Sequence, residues 1–280
     1  MTRTIHVAHS PDSDDAFMFF ALTEQKIDTG DRRYEHELSD IESLNTRALR
    51  GELDVSAVSI HAYAYLAERY ALLASGCSMG DGYGPRLVSR LPKPADPVAA
   101  LQGLRVGVPG KLTTAYLALK LFQPDVIDVV LPFDQIEAAV HQGTVDVGLV
   151  IHEGQLTYAD EGFELWGDLG EWWLEETGLP LPLGGNVVRR DLGADLVTQI
   201  ADDLRRSIEY GLAHRQTALA YAKRFNRGIT DERTDTFVGM YVNEWTVDYG
   251  PRGREAVRTL LRRGAESGII PAPVEVDFAG

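Results

Sequence analysis

The stretch VGLVIHEGQLTY, residues 147 to 158, runs through a short apolar, β-branched segment and then sets His152 and Glu153 side by side at its carboxyl end. A histidine takes up and returns a proton near neutrality, because its ordinary pKa is ~6.5. His152 therefore reads either as a general base or as a structural histidine in a strand-to-loop turn. Three further segments carry polar groups just beyond candidate strands: HSPDSDDAFMF with Ser10 and Ser13, VSIHAYAY with Ser59 and His61, and VPGKLTTAY with Thr113 and Thr114. Free N–H groups at a helix start, with hydroxyls beside them, suit a carboxylate or phosphate. Paired threonines also serve as plain caps, His61 as a surface or capping residue, and at least two of Asp12, Asp14 and Asp15 are expected simply to cap and neutralise their turn.

Other chemistries lack their residues. No G-x-S-x-G elbow is present, and the single cysteine, Cys77, reads as a small buried apolar residue in a linker. Neither a phosphate-binding G-x-x-x-x-G-K-[ST] pattern nor a G-x-G-x-x-G pattern occurs, and no Cys/His cluster has zinc-site spacing, so neither a nucleotide site nor a zinc site is expected. Proton abstraction by a lone histidine is the chemistry that remains. Trp172, Trp173 and Tyr158 are candidates for an aromatic wall, although adjacent tryptophans commonly divide between core and surface.

The elements that must position these groups alternate in type. TIHVAHS (4–10) predicts a strand, DSDDAFMFFALTEQKI a helix capped by Ser10, Asp12 or Ser13, YEHELSD (34–40) an edge strand, and IESLNTRALRGE a helix ending at Gly51. LDVSAVSI (53–60) predicts a buried strand followed by a helix through HAYAYLAERYALL. That alternation predicts a parallel sheet with crossover helices. GCSMGDGYGPRLVSRLPKPADP (76–97) then leaves this unit, and a second set follows: strands LRVGVPG, VIDVVLP and VDVGLVIHE with helices LTTAYLALKLFQ and FDQIEAAVHQGT. The stretch 168–190 returns, and from about Asp195 the chain reads as helical.

The expected architecture is α/β with two lobes: residues 1–88 and 188–280 form the larger, 89–187 the smaller, joined by two crossing segments around a ligand cleft. Ligands bind beyond the carboxyl ends of strands in such sheets, and lobes commonly close on them.

A formal charge of −15, without a basic block, disfavours nucleic acid and anionic membrane surfaces as partners. With no apolar leader in MTRTIHVAHSPDSDD and no apolar run approaching ~20 residues, the protein is expected in the cytoplasm, acting on a small-molecule carboxylate.

VPGKLTTAY, VGLVIHEGQLTY, DLGEWWLEETGLPLPLGG and RRDLG, in that order and spacing, resemble the MqnA/MqnD family of menaquinone biosynthesis over essentially the whole chain. The tryptophan-containing motif points to its 1,4-dihydroxy-6-naphthoate synthase branch. The resemblance implies a fold like the type II periplasmic binding proteins, used as a cofactor-free enzyme that converts cyclic dehypoxanthine futalosine to 1,4-dihydroxy-6-naphthoate. It implies His152 as the proton acceptor, Thr113 and Thr114 as substrate-holding residues, and Ser59 as a contact from the first lobe, beside which Ser10, read from its place at a helix start, is expected to bind substrate as well. Two features depart from the family: HSPDSDDAFMF stands where better-known members have a form like SPCPNDTF, and Ala57 replaces a lysine two residues before the serine. Arg86 or Lys111 would have to supply the missing cation. The same architecture also accommodates the sister activity, chorismate dehydration, and non-catalytic binding of a small carboxylate.

Overall fold

A computed structural model describes residues 2–225 and 230–280. In chain order its strands are β1 (Arg3–His9), β2 (Arg32–Leu38), β3 (Val55–Ser59), β4 (Tyr70–Leu73), β5 (Ser78–Gly80) and β6 (Arg86–Ser89). Then come β7 (Arg105–Val108), β8 (Ile127–Val130), β9 (Val147–Val150), β10 (Glu164–Asp168), β11 (Leu181–Arg189) and β12 (Phe278–Ala279). They form two sheets, one ordered β12-β4-β11-β3-β1-β2 with β5 also on β11, the other ordered β10-β6-β9-β7-β8. This is the α/β architecture expected, with β2 at an edge.

Both sheets are mixed rather than parallel. β1 runs parallel to β2 and β3, and β7 parallel to β8 and β9, as crossover helices require. The two crossing segments bring in antiparallel partners: β11 lies between β3 and β4, and β6 between β9 and β10. Arg86–Ser89 pairs within the second sheet and Leu181–Val188 within the first.

One element differs in type. The helix expected through HAYAYLAERYALL stops after Ile60–Tyr63, and Tyr70–Leu73 is strand β4. A four-residue apolar run looks alike in a buried helix and a buried strand. Here its neighbours β11 and β12 decide, since they satisfy its backbone groups.

Local chemistry accounts for the elements around the cleft. Asp40 caps helix Ile41–Arg50 by accepting the Ser43 N–H, and Gly51 ends it at a φ of 73° in the left-handed region. Helix Ser13–Thr23 buries Ala16 through Leu22 against helices Ala194–Ala213 and Arg215–Ala222, which explains its nearly continuous apolar sequence. In β9 all four residues are buried, and helix Ile136–His141 lies directly on the strand. A Cβ at Gly148 would come 2.8 Å from Ile136 and 2.9 Å from Val140. That close packing anchors the strand end that carries His152. Among the described residues, no helix is long and apolar enough to cross a membrane.

Candidate active site

One cavity between the two sheets is lined by Ser10, Ser59, Thr113, Thr114 and His152, all five residues singled out from sequence. Ser10 follows β1, Ser59 ends β3, the threonines open helix Thr114–Phe122 after β7, and His152 follows β9. Four strand ends therefore deliver them to one place, as the carboxyl-end rule for α/β sheets requires.

Each contact has a particular form. His152 Nδ1 lies 3.2 Å from Asp12 Oδ2, and its ring meets Phe133 edge-on at 4.3 Å between centroids. The Ser10 hydroxyl donates to the same Asp12 oxygen at 2.6 Å, and the Ser10 N–H donates to Asp15 at 2.7 Å. Ser59 is held by the buried Asn45 amide, whose Oδ1 accepts the Ser59 N–H at 2.9 Å while its Nδ2 donates to the hydroxyl oxygen at 3.2 Å. Thr113 is the N-cap of its helix, with its hydroxyl donating to the Gly110 carbonyl and accepting the Tyr116 N–H. Thr114 donates to the Leu183 carbonyl at 2.6 Å and accepts the His61 N–H at 3.1 Å. Both threonine hydroxyls thus build the wall, and Thr113 takes up the Tyr116 N–H of the helix's first turn.

Several sequence expectations are corrected. Asp12 occupies the N-cap position of helix Ser13–Thr23, yet its side chain makes no capping bond; it is drawn instead to Ser10 and His152. His61 is neither surface nor cap: it is buried, its Nδ1 pairs with the Thr113 carbonyl at 3.2 Å, and burial pushes its pKa down to about 4. The aromatic wall is not made by Trp172, Trp173 or Tyr158. Trp173 is fully buried with its indole N–H on the Pro180 carbonyl, Trp172 packs on Phe122, and Tyr158 stacks under Arg86. Phe237 and Tyr241 line the cavity in their place, and the Tyr241 hydroxyl donates to Gln155 Oε1 at 2.7 Å. These come from helix Asp231–Tyr241, whose apolar spacing marks a helix but not a cavity wall, although YVNEW, from Tyr241, is part of the family resemblance.

No lysine or arginine lines the cavity among the described residues. Neither proposed substitute for the missing lysine reaches it: Arg86 bonds Asp168 at 3.2 Å and the Gln155 carbonyl, and Lys111 pairs with Asp128 at 2.7 Å. Ala57 lies in the lining as a small apolar patch. The wall is instead acidic. Burial, then repulsion from Asp15, Asp12 and Glu153, holds the Asp14 carboxyl well above its usual range. Burial likewise lifts Asp15 to about 7, although the Ser10 N–H opposes the rise. Asp12, His152 and Glu153 each bring one ligating atom within 4.8 Å of the other two, the one such grouping among the described residues.

Comparison with known proteins follows the same lines. Residues 5–266 match the model of a family described as menaquinone biosynthesis. The chain is 40% identical over 272 residues to a 1,4-dihydroxy-6-naphthoate synthase of Thermus thermophilus, covering 97% of this chain and 98% of that one. It is 38% identical over 275 residues to the synthase of Streptomyces coelicolor, covering 96% and 95%. The crystal structure of protein AF1704 from Archaeoglobus fulgidus superposes with a TM-score of 0.90 at 43% identity, covering 95% of this chain and 98% of that one. The alkanesulfonate-binding protein SsuA of Xanthomonas axonopodis shares the fold at a TM-score of 0.71 and 14% identity, covering 99% and 97%. The two-sheet fold is thus that of the periplasmic binding proteins, and the chain belongs to the menaquinone biosynthesis family of enzymes.

Proposed function

We propose that the protein is a carbon–carbon lyase that converts cyclic dehypoxanthine futalosine to 1,4-dihydroxy-6-naphthoate, with His152 as general base. The observation that carries this reading is the convergence of His152 with Ser10, Ser59, Thr113 and Thr114 on one cavity between the sheets. The activity named for both relatives supports the choice of product. Residues up to Gly80 with those from Leu181 onward, and residues 86–168, act in this reading as two lobes that close on the ligand and exclude water.

The ring carboxylate of the substrate sits at the first turn of helix Thr114–Phe122, where backbone N–H groups and the helix dipole favour an anion without a lysine or arginine. Ser59, its hydroxyl oxygen already accepting from Asn45, keeps its own proton to donate to the ligand. His152 takes the proton of a substrate hydroxyl, the O–H pair forms a carbonyl on the departing sugar-derived fragment as the adjacent carbon–carbon bond breaks, and that bond's pair passes into the ring, whose aromatisation drives cleavage.

Purified protein incubated with cyclic dehypoxanthine futalosine is expected to release 1,4-dihydroxy-6-naphthoate, followed by chromatography and mass. Folded His152→Asn is expected to lose that turnover. Near-normal turnover by the variant would remove His152 from its role, and turnover of chorismate in place of the futalosine would replace the reading with the dehydratase.

A further inference from the structure

We infer that Asp12 is the positioning residue of His152: it reaches across the cleft and holds the imidazole with a proton on Nδ1, so that the basic lone pair sits on Nε2. The inference rests on His152 being the base, as proposed above.

Three observations support it. Asp12 follows β1 in the first sheet and His152 follows β9 in the second, yet Oδ2 and Nδ1 stand 3.2 Å apart. An aspartate at an N-cap ordinarily accepts an N–H of its own helix, and this one does not. Its Oδ2 is instead fixed by the Ser10 hydroxyl at 2.6 Å, in a residue only 3% exposed. A carboxylate so placed can accept only from an Nδ1–H, which selects the tautomer, and its charge stabilises the imidazolium formed when Nε2 takes a proton. Phe133, edge-on to the ring, restrains its rotation from the second sheet's side.

The titratable groups around the pair are Glu153 next to His152 on the second sheet, and Asp14 and Asp15 on the first turn that follows Asp12. Because its two members come from opposite sheets, the pair is complete only while those sheets face one another across the cavity.

The test combines ring 15N NMR of His152 with kinetics, in wild type, Asp12→Ala, Asp12→Asn and Asp12→Glu. Wild type is expected to show the Nδ1–H form without any substrate, and Asp12→Ala to move His152 toward Nε2–H. Turnover number is expected to fall ~10²–10⁴-fold in Asp12→Ala and Asp12→Asn, with little change in KM and partial recovery in Asp12→Glu. If Asp12→Ala fails to fold, Asp12→Asn, which keeps the size of the side chain, carries the comparison. An Nε2–H wild type, or an Asp12 variant with wild-type tautomer and turnover, overturns the inference. So does activity abolished by a chelator together with a divalent ion lost from Asp12→Asn, since the group would then act through a metal. The NMR result needs no substrate, so failure of the lyase reading shows separately, as absence of turnover by wild type.

Discussion

Asn45 grips Ser59 at two points, accepting its N–H at 2.9 Å and donating to its hydroxyl at 3.2 Å, although the two residues lie on different elements. Both side chains are buried, and the grip fixes the direction in which Ser59 presents its proton to the cavity. Asn45→Ala strands the Ser59 N–H and is expected to cost about 1–3 kcal/mol of stability. It should also raise KM several-fold with kcat less affected. Urea unfolding and steady-state kinetics on the same variant check both halves.

Thr113 has a structural duty that is separable from ligand binding. As the N-cap of helix Thr114–Phe122 it accepts the Tyr116 N–H. Thr113→Ala is expected to lower stability by about 1 kcal/mol in the absence of any ligand. Thr113→Ser should restore it, because only the hydroxyl caps. Denaturation midpoints that do not separate the two variants would show that the cap contributes nothing.

Asp15 makes stability depend on pH. Burial raises its carboxyl from 3.8 to about 7, so between these values the folded chain holds a proton that the unfolded chain releases. The stability contributed by that proton is complete below the unfolded value and is lost as pH rises through about 7. Asp15→Asn still accepts the Ser10 N–H and is expected to stabilise the protein at pH ~8 by up to a few kcal/mol, since each tenfold change in proton affinity is worth roughly 1.4 kcal/mol. At pH ~3.5 the gain should vanish. Denaturant melts of both proteins at the two pH values read the difference.

Gly170 and Tyr83 bring the two crossing segments into contact. A Cβ at Gly170 would lie 1.9 Å from the Tyr83 carbonyl oxygen and 2.5 Å from the Gly84 nitrogen, both backbone atoms that cannot swing aside. Gly170→Ala is therefore expected to cost about 1–3 kcal/mol or more through overpacking. By spreading the crossings it should also impair turnover beyond the loss of folded protein. Thermal unfolding together with activity per folded molecule distinguishes the two effects.

The alternation of β1 to β3 and of β7 to β9 with helices, the edge position of β2 and the strand-end placement of His152, Ser59, Thr113 and Thr114 were legible in the sequence, whereas β4, β5, β10 and β12 were not. The legible features follow from local causes: apolar periodicity, capping residues such as Asp40 and Gly51, and the tendency of α/β sheets to carry ligands at strand ends. Only the tertiary structure decided which partners those residues meet. Tyr70–Leu73 became a strand because β11 and β12 lie beside it. Asp12, which by local rules should cap its own helix, turned to a histidine 140 positions away in sequence. Phe237 and Tyr241 entered the cavity from a helix whose sequence spacing does not mark it as a cavity wall. In each case the deciding interaction is a hydrogen bond or packing contact between groups far apart in the chain, and local spacing carries no record of it.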